Sequence, residues 1–485
     1  MFKEHPTGLM VLFFTEMWER FSYYGMRGIL ILYMVAGLDQ GGFGMDDTTA
    51  AAIYGLYTAL VYLLALPGGW IADRLIGQRR AVFYGGILIA AGNLSLALPL
   101  FRPVFFPIGL ILIVTGTGLL KPNVSAIVGE LYADKGAKRD AGFSIFYMGI
   151  NIGAFFGPLV CGFFGEQIDW HLGFLAAGIF MILGVVQYKY NMRYFADAGL
   201  PKEMSAESHS RTKRNFIYGI IAVVMLTLLL TLFQRIDLIH ITLQGIAAAT
   251  GVIIVSLAIM YFLYVLIFSH LDSTDKKRVI LIFFLFIGAA LFWSGFEQAG
   301  SSMNLFANRY TDRMFFDFEI PASWFQSIGA LLIIIFAPLF GVLWLKLDKK
   351  NPSIPAKFGL GLFLLGAGFV ILMWGSGFIR TAGDRVGPGW LISTYFLHTF
   401  GELCLSPVGL SSVTKLSPKP LVGQMMGTWF MGSALGNLIA GLVAGQIQTM
   451  PLPELFGTVA YIAIGAGLLF LLLAPLLKKL SGGIR

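Results

Sequence analysis

Residues 243–268 read LQGIAAATGVIIVSLAIMYFLYVLIF, an unbroken run without a single Asp, Glu, Lys, Arg or His. A helix rises about 1.5 Å per residue, so roughly 20 apolar residues span the hydrocarbon core of a bilayer. The apolar side chains are continuous and do not alternate with polar ones, which favours a helix over a strand of a membrane barrel. This stretch therefore predicts a transmembrane helix.

Apolar runs of this kind recur along nearly the whole chain. The 485 residues are 57% hydrophobic and only 12% charged, with a mean hydropathy of +0.78. A soluble domain of this composition would expose large apolar patches, so lipid is the expected solvent. We predict an all-α membrane protein with fourteen transmembrane helices, at about 8–36, 48–72, 80–99, 104–131, 142–164, 170–189, 215–233, 243–268, 279–308, 322–346, 357–379, 389–415, 421–447 and 453–477.

The basic residues indicate how these helices are oriented. Alternate connecting stretches hold most of the 34 lysines and arginines, whereas the stretches between them hold few. Positive charge is enriched in the cytoplasmic loops of multi-pass proteins. The pattern predicts that both termini are cytoplasmic, and it accounts for the net charge of +8 without a nucleic-acid partner.

The longest polar linker, at residues 191–214, divides the chain. We expect an N-terminal six-helix bundle at 1–190, two inserted transmembrane helices at 215–268 and a C-terminal six-helix bundle at 269–485. Residues 69–80, GWIADRLIGQRR, follow the second helix and resemble, with one additional residue, a loop of the major facilitator superfamily. In that fold two parallel repeats enclose a substrate site near the middle of the bilayer.

Seven ionisable residues lie well inside the predicted transmembrane helices. Each costs roughly 2.5–3.5 kcal/mol on insertion scales, and such residues usually mark function. Structural salt bridges are the alternative, but seven residues together favour a functional site. They are Glu16, Glu19, Arg20, Arg27, Lys121, Glu297 and Glu402.

Local spacing suggests how the charges in the first half are presented. Helical periodicity predicts one broad face, expected to line a cavity, that carries Glu16, Glu19, Arg20, Tyr23, Tyr24 and Arg27. Pro122 directly follows Lys121. Because proline removes a backbone donor, we expect the helix to be weakened beside this charge.

The division of charge between the halves indicates the type of ligand. The cations without a neighbouring acid, Arg27 and Lys121, are in the first half, and Glu297 and Glu402 are in the second. A cavity between the halves would suit a small zwitterion, held by charge-assisted hydrogen bonds. Four acids against three bases leave one negative charge to be neutralised. Burial disfavours an ionised carboxyl, so the glutamates are candidate proton carriers.

Some neutral residues near these charged turns are further candidates for ligand contact: Tyr62, Tyr147, Asn151, Trp293 and Trp429. Asn151 could equally bond a neighbouring helix. His398 lies one turn before Glu402, where a structural hydrogen bond is favoured over a role in tuning Glu402. The chain contains no glycine-lysine pair and no HExxH or GxSxG motif, which argues against ATP drive and against the corresponding hydrolases.

Four motifs in order resemble the proton-dependent oligopeptide transporter (POT) family. Residues 16–25, EMWERFSYYG, match its first-helix signature, and residues 118–123, GLLKPN, match its lysine motif. Residues 146–153, FYMGINIG, resemble its fifth-helix signature, and residues 402–418 resemble its tenth-helix motif. The resemblance implies the major facilitator fold and import of di- and tripeptides with protons by alternating access, without a cofactor. It also implies a bacterial inner-membrane protein that functions as a monomer.

The resemblance further implies roles for individual residues. The peptide carboxylate would be held by Arg27 and Lys121, assisted by Tyr24 and Tyr62. The amino end and backbone would be bound by Glu402 and Asn151, near Tyr147. Proton coupling would involve Glu297, which exchanges a salt bridge with Arg27, together with Glu16, Glu19 and Arg20. The pockets for peptide side chains would be lined by Trp293, Phe296, Ser406 and Trp429.

One departure from the family pattern bears on the substrate. The family usually has an asparagine that binds the peptide amino group. Here residues 326–330 read QSIGA, so Gly329 stands at the position of that asparagine. An alternative is therefore the same fold transporting another small ion or a peptide-like compound. A membrane enzyme or a receptor that binds peptide without transport is a more distant alternative.

Overall fold

The computed structural model describes residues 5–132, 136–201, 205–381 and 383–482. The described chain is almost entirely helical. Its α-helices are α1 (Thr7–Val35), α2 (Asp47–Leu63), α3 (Ala65–Ile71), α4 (Gln78–Leu96), α5 (Arg102–Glu130), α6 (Ala137–Gln167), α7 (Trp170–Asn191), α8 (Ala206–Arg235), α9 (Leu243–Phe268), α10 (Ser273–Phe296), α11 (Ser302–Tyr310), α12 (Phe325–Leu347), α13 (Ile354–Ser376), α14 (Gly389–Leu416), α15 (Val422–Ala444) and α16 (Leu452–Leu480). A short antiparallel hairpin, β1 (Met314–Phe315) and β2 (Phe318–Glu319), follows α11.

The fourteen predicted transmembrane segments are confirmed. α2 continues into α3, and α10 into α11, so that each pair makes one span and sixteen helices give fourteen spans. Within the described residues, eleven spans are long and apolar enough to be recognised by composition alone. The other three are α1, α4 and α14. α1 carries four of the intramembrane charges and α14 carries Glu402, so their low hydropathy reflects the site they supply.

The helices form two six-helix bundles plus an inserted pair, as the fold prediction states. In the first bundle α1 packs on α6 and α7, and α4 packs on α5 and α7. In the second, α13 packs on α14 and α16, and α10 packs on α15. Of the inserted helices, α9 packs against α2, α10 and α15, whereas α8 is exposed along its apolar length. α8 begins at Ala206, earlier than the predicted segment, where Ser205 accepts a hydrogen bond from the Ser208 amide.

The lysine-proline step in α5 does not break the helix. α5 is continuous from Arg102 to Glu130, with Pro122 inside it. α5 is therefore not interrupted beside Lys121, although Pro122 supplies no backbone donor there. The neighbouring Asn123 side chain donates to the Leu119 carbonyl at 2.7 Å, so this turn keeps a local hydrogen bond. Proline is tolerated in membrane helices when nearby groups satisfy the backbone.

Glycines allow the helix backbones to approach closely. In α16, a Cβ on Gly467 would lie 2.7 Å from the Phe363 amide nitrogen and 2.9 Å from the Gly359 carbonyl oxygen of α13. Since both are backbone atoms, they cannot swing aside as a side chain could. Small residues at such contacts hold membrane helices together by van der Waals packing. By contrast, a Cβ on Gly465 would meet nothing within 4 Å.

Among the described residues, the polar contacts between the bundles lie toward one face of the membrane-spanning region. We call the face that carries the start of α1 and the end of α16 the terminal face, and the opposite one the far face. At the far face Arg309 of α11 makes a bidentate ion pair with Asp47 of α2, at 2.6 and 2.7 Å. Glu166 of α6 accepts hydrogen bonds from the amides of Ala322 at 2.6 Å and Ser323 at 2.9 Å. These contacts close the far face.

Further contacts extend this closure toward the middle of the span. The Asn304 amide donates to the Gly28 carbonyl at 2.7 Å, and the Ser327 hydroxyl donates to the Phe155 carbonyl at 2.8 Å. On the terminal side the bundles leave a cavity between them, where the Tyr147 side chain is 41% exposed. The structure is therefore closed at the far face and open toward the terminal face.

Substituting Gly467 with Val should lower the thermal stability of the detergent-solubilised protein. The added side chain must push apart two backbones, and overpacking of this type costs about 1–3 kcal/mol. The matched control is Gly465→Val, two residues away on the same helix and in open space. Equal melting temperatures for the two variants would contradict close backbone contact between α13 and α16.

Substituting Asp47 with Asn should make the far face open more often, because it leaves the Arg309 guanidinium without its carboxylate. The measurement is labelling of Gln326→Cys, in a Cys161→Ala, Cys404→Ala background, by a membrane-impermeant thiol reagent applied to the far face. Labelling should be several-fold faster than in the parent. The control is Asp46→Asn, because Asp46 only accepts from the Thr49 amide of its own helix. Unchanged labelling in Asp47→Asn would contradict a closing role for this ion pair.

Candidate functional site

A cavity of about 300 Å³ lies between the two bundles. Most of the candidate residues line it. From the first bundle these are Glu16, Arg20, Tyr24, Arg27, Tyr62, Lys121, Tyr147 and Asn151. From the second bundle they are Trp293, Phe296, Glu297, Glu402, Ser406 and Trp429. Residues far apart in the sequence thus converge on one chamber. Its described cations, Arg20, Arg27 and Lys121, all come from the first bundle, whereas its acids come from both, Glu16 from the first and Glu297 and Glu402 from the second.

Two residues of the predicted first-helix face do not line the cavity. Glu19 is fully buried and pairs with the Arg20 guanidinium. The centre of the Tyr23 ring lies 5.2 Å from the Cζ of the same guanidinium. The expectation that all six residues of this face look into the cavity is therefore wrong. The face is broad enough that its edges are covered by neighbouring helices.

The pair formed by Arg27 and Glu297 crosses between the bundles. The guanidinium Nη2 lies 2.6 Å from Glu297 Oε2, and both side chains are buried. Arg27 Nε also donates to the Tyr54 hydroxyl at 2.6 Å. An ion pair in a low-dielectric interior is held strongly, and removing either partner strands the other. This pair bounds the cavity on the far-face side.

A second charged group lies on α1, nearer the terminal face. The Arg20 Nε is 3.1 Å from Glu16 Oε1 and also contacts Glu19 Oε2. Two carboxylates therefore share one guanidinium, which leaves the group short of one positive charge when both are ionised. A single proton, or a neighbouring cation, would balance it.

Lys121 has no carboxylate within ion-pair distance among the described residues. Its ammonium lies 3.9 Å from the centre of the Tyr62 ring, a cation–π contact. A ring face satisfies only part of an ammonium's hydrogen-bonding capacity, since the group has three N–H donors. Lys121 is thus able to donate to an anionic group in the cavity.

The opposite side of the cavity carries Glu402. The residue is 9% exposed, and its Oε2 has no hydrogen-bond partner in the described structure. Buried carboxylate oxygens are normally satisfied, so a cavity-lining carboxylate that keeps an oxygen without a partner is suited to a hydrogen-bond donor on a ligand. One turn earlier, His398 Nε2 lies 3.1 Å from the Leu365 carbonyl. This contact is the structural hydrogen bond that the sequence favours for His398.

Neutral residues complete the cavity and were not found from the sequence: Gln326, Tyr395, Thr399, Phe430 and Ser433. Tyr54, which contacts Arg27, was also missed. A search for buried charge cannot detect uncharged lining. The spacing of eight residues between Tyr54 and Tyr62, which places both on one side of a helix, is the signal that could have found Tyr54.

Comparison with known proteins agrees with this fold and cavity. The model of the POT family matches residues 79–459. The peptide transporter YePEPT of Yersinia enterocolitica subsp. palearctica is 43% identical, over 98% of this chain and 96% of its own length. A di-/tripeptide transporter of Lactococcus lactis subsp. cremoris is 36% identical, over 99% of this chain and 97% of its own.

A solved structure gives the same result. The crystal structure of a peptide transporter POT in complex with sulfate has a TM-score of 0.91 and 40% sequence identity, and it covers 99% of this chain and 96% of that chain. This chain therefore belongs to the POT family of membrane transporters, and it is a transporter rather than an enzyme.

Proposed function

We propose that this chain is a proton-coupled symporter that imports di- and tripeptides by alternating access of its two bundles. One observation carries the proposal. An ammonium without an acid partner, on Lys121, and a carboxylate with an unsatisfied oxygen, on Glu402, line one cavity from opposite bundles. A short peptide is a zwitterion whose two ends complement these groups.

The peptide carboxylate binds on the first-bundle side. Lys121 donates to it, and Arg27 adds a second cation next to the Tyr24 ring. The amino end binds Glu402, while Asn151 and Tyr147 contact the peptide backbone. Trp293, Phe296, Ser406 and Trp429 contact the peptide side chains. Charge-assisted hydrogen bonds are roughly twice as strong as neutral ones, and they strengthen further when closure of the cavity excludes water.

Proton uptake by Glu297 opens the far face. A protonated Glu297 no longer balances the Arg27 guanidinium, so the ion pair between the bundles is weakened and Arg27 is released to the peptide carboxylate. When Glu297 releases its proton to the other side of the membrane, its ion pair with Arg27 forms again and the far face closes. Glu16, Glu19 and Arg20 link this step to Lys121, because their unbalanced charge attracts a proton when no substrate is present.

The proposal assigns an orientation and a location. With both termini cytoplasmic, the terminal face is the inner face of a bacterial plasma membrane, and the structure is open to the cytoplasm. A charge moving inward gains about 2.3 kcal/mol per 100 mV of membrane potential, which drives uphill uptake. The N-terminal bundle at 1–190 and the C-terminal bundle at 269–485 move against each other, joined through 191–214 and the inserted pair at 215–268. One chain contains the whole cavity, so the monomer is sufficient.

Replacing Glu402 by Gln should abolish concentrative uptake of labelled dialanine into proteoliposomes with an inward proton gradient. The amide keeps the size of the side chain but loses the charge that binds the amino end. The control is Glu454→Gln, an exposed carboxylate at the start of α16 outside the cavity. Accumulation of dialanine by Glu402→Gln at the parental level would remove Glu402 from the mechanism. Failure of the parent to accumulate any di- or tripeptide, together with uptake of another small ion, would favour the alternative substrate class.

Amidating the carboxyl end of dialanine should weaken its competition for uptake roughly tenfold, because a hydrogen bond to a charged group contributes about 1.5–3 kcal/mol. Lys121→Gln should weaken the competition by dialanine but leave the competition by the amidated peptide nearly unchanged. The control is Lys357→Gln, a buried lysine over the Trp344 ring at 4.3 Å that does not line the cavity. An equal loss for both peptides in Lys121→Gln would contradict contact between this lysine and the carboxylate.

A further inference from the structure

Gly329 occupies an unusual place for a glycine inside a membrane helix. It lies in the first half of α12 and lines the cavity. Among the described residues that line the cavity, it is the one glycine. Glycine weakens a helix interior because it has no side chain to restrict or pack. Its presence at this position therefore needs a physical reason.

Close helix packing does not supply that reason. Several buried glycines elsewhere in the bundles lie against backbone: a Cβ on Gly68 would clash with the Gly118 carbonyl, and one on Gly441 would lie 2.5 Å from the Gly55 Cα. A Cβ on Gly329 would meet only the Thr399 hydroxyl oxygen, at an ordinary 3.8 Å. The space at Gly329 is thus open, and it belongs to the cavity.

The surroundings of this space define what it can hold. On α12 the next cavity-lining residues, Ala330 and Ile333, are apolar. Opposite them, the Thr399 hydroxyl donates to the Tyr395 carbonyl at 2.8 Å, so only its lone pairs remain for a ligand. Glu402, three residues after Thr399 on the same side of α14, adds an unsatisfied carboxylate oxygen. The recess is therefore apolar on one side and has two hydrogen-bond acceptors on the other.

We propose that the recess at Gly329 is a subsite for an alkyl group on the substrate's amino nitrogen, so that this transporter accepts peptides whose amino terminus is a secondary amine. A protonated secondary amine keeps two N–H donors, which match the acceptors on Glu402 and Thr399. Its alkyl group, a methyl or the ring of an amino-terminal proline, occupies the apolar side. The inference rests on the proposed function, since it takes Glu402 as the partner of the amino end.

The test compares uptake of labelled dialanine with uptake of N-methyl-alanyl-alanine in proteoliposomes. The parent should transport both. In Gly329→Leu, uptake of the methylated peptide should fall by at least about tenfold more than uptake of dialanine. Filling a pocket that fits one methyl group discriminates between substrates on this scale. Gly329→Ala, which adds a single carbon without a clash, should give a smaller change in the same direction.

Two controls separate this effect from helix stability. Gly341→Leu and Gly341→Ala place the same side chains on α12 where a Cβ would meet nothing within 4 Å, and they should leave the ratio of the two peptides unchanged. If the parent transports dialanine, but the ratio of methylated-peptide uptake to dialanine uptake is the same in the parent and in Gly329→Leu, the subsite is overturned and the proposed function is not. Failure of the parent to transport dialanine at all would overturn the proposed function, and the subsite with it.

Discussion

The arrangement of this protein depends on the cost of placing charge inside a bilayer. A charged side chain that faces lipid carries a high insertion free energy, and this cost is lowered in a polar chamber or in an ion pair. The residues concerned are Arg27, Lys121, Glu297 and Glu402. Both solutions are used. Arg27 and Glu297 neutralise each other at 2.6 Å across the bundle interface, whereas Lys121 and Glu402 line the cavity without an ionic partner among the residues that the structure describes. The paired charges join the two bundles, and under the proposed function Lys121 and Glu402 bind the two ends of the substrate.

The interface between the bundles is asymmetric, and this asymmetry defines the conformation. Hydrogen bonds and ion pairs join the bundles toward the far face, from the Arg309–Asp47 pair down to the contact of Ser327 with Phe155. Several of them involve backbone groups, as in the two amides that donate to Glu166. Such contacts are directional, so a modest tilt of one bundle breaks several at once. A closure of this kind has two discrete states, which is what alternating access requires.

Glycine serves two opposite purposes in the same molecule. At Gly467, Gly68 and Gly441 the missing side chain lets backbones touch, and the helices are held by packing. At Gly329 the missing side chain leaves room inside the cavity. The residue type alone does not separate these cases, because the difference lies in what stands opposite each glycine.

Much of the fold follows from the sequence by itself, because the bilayer imposes a length and a composition on each span. The apolar runs located fourteen helices, and six of the seven intramembrane charges line the cavity, since lipid leaves such residues few other places. The sequence could not decide which way a side chain faces or which residue it pairs with. Whether Glu19 faces the cavity or the back of Arg20, whether α5 breaks at Pro122, and which acid pairs with Arg309 depend on neighbours distant in the chain. The Arg309–Asp47 pair forms only when the two bundles meet, and the surroundings of Glu19 and Pro122 are set by the helices that pack around them, so only the tertiary structure determined these features.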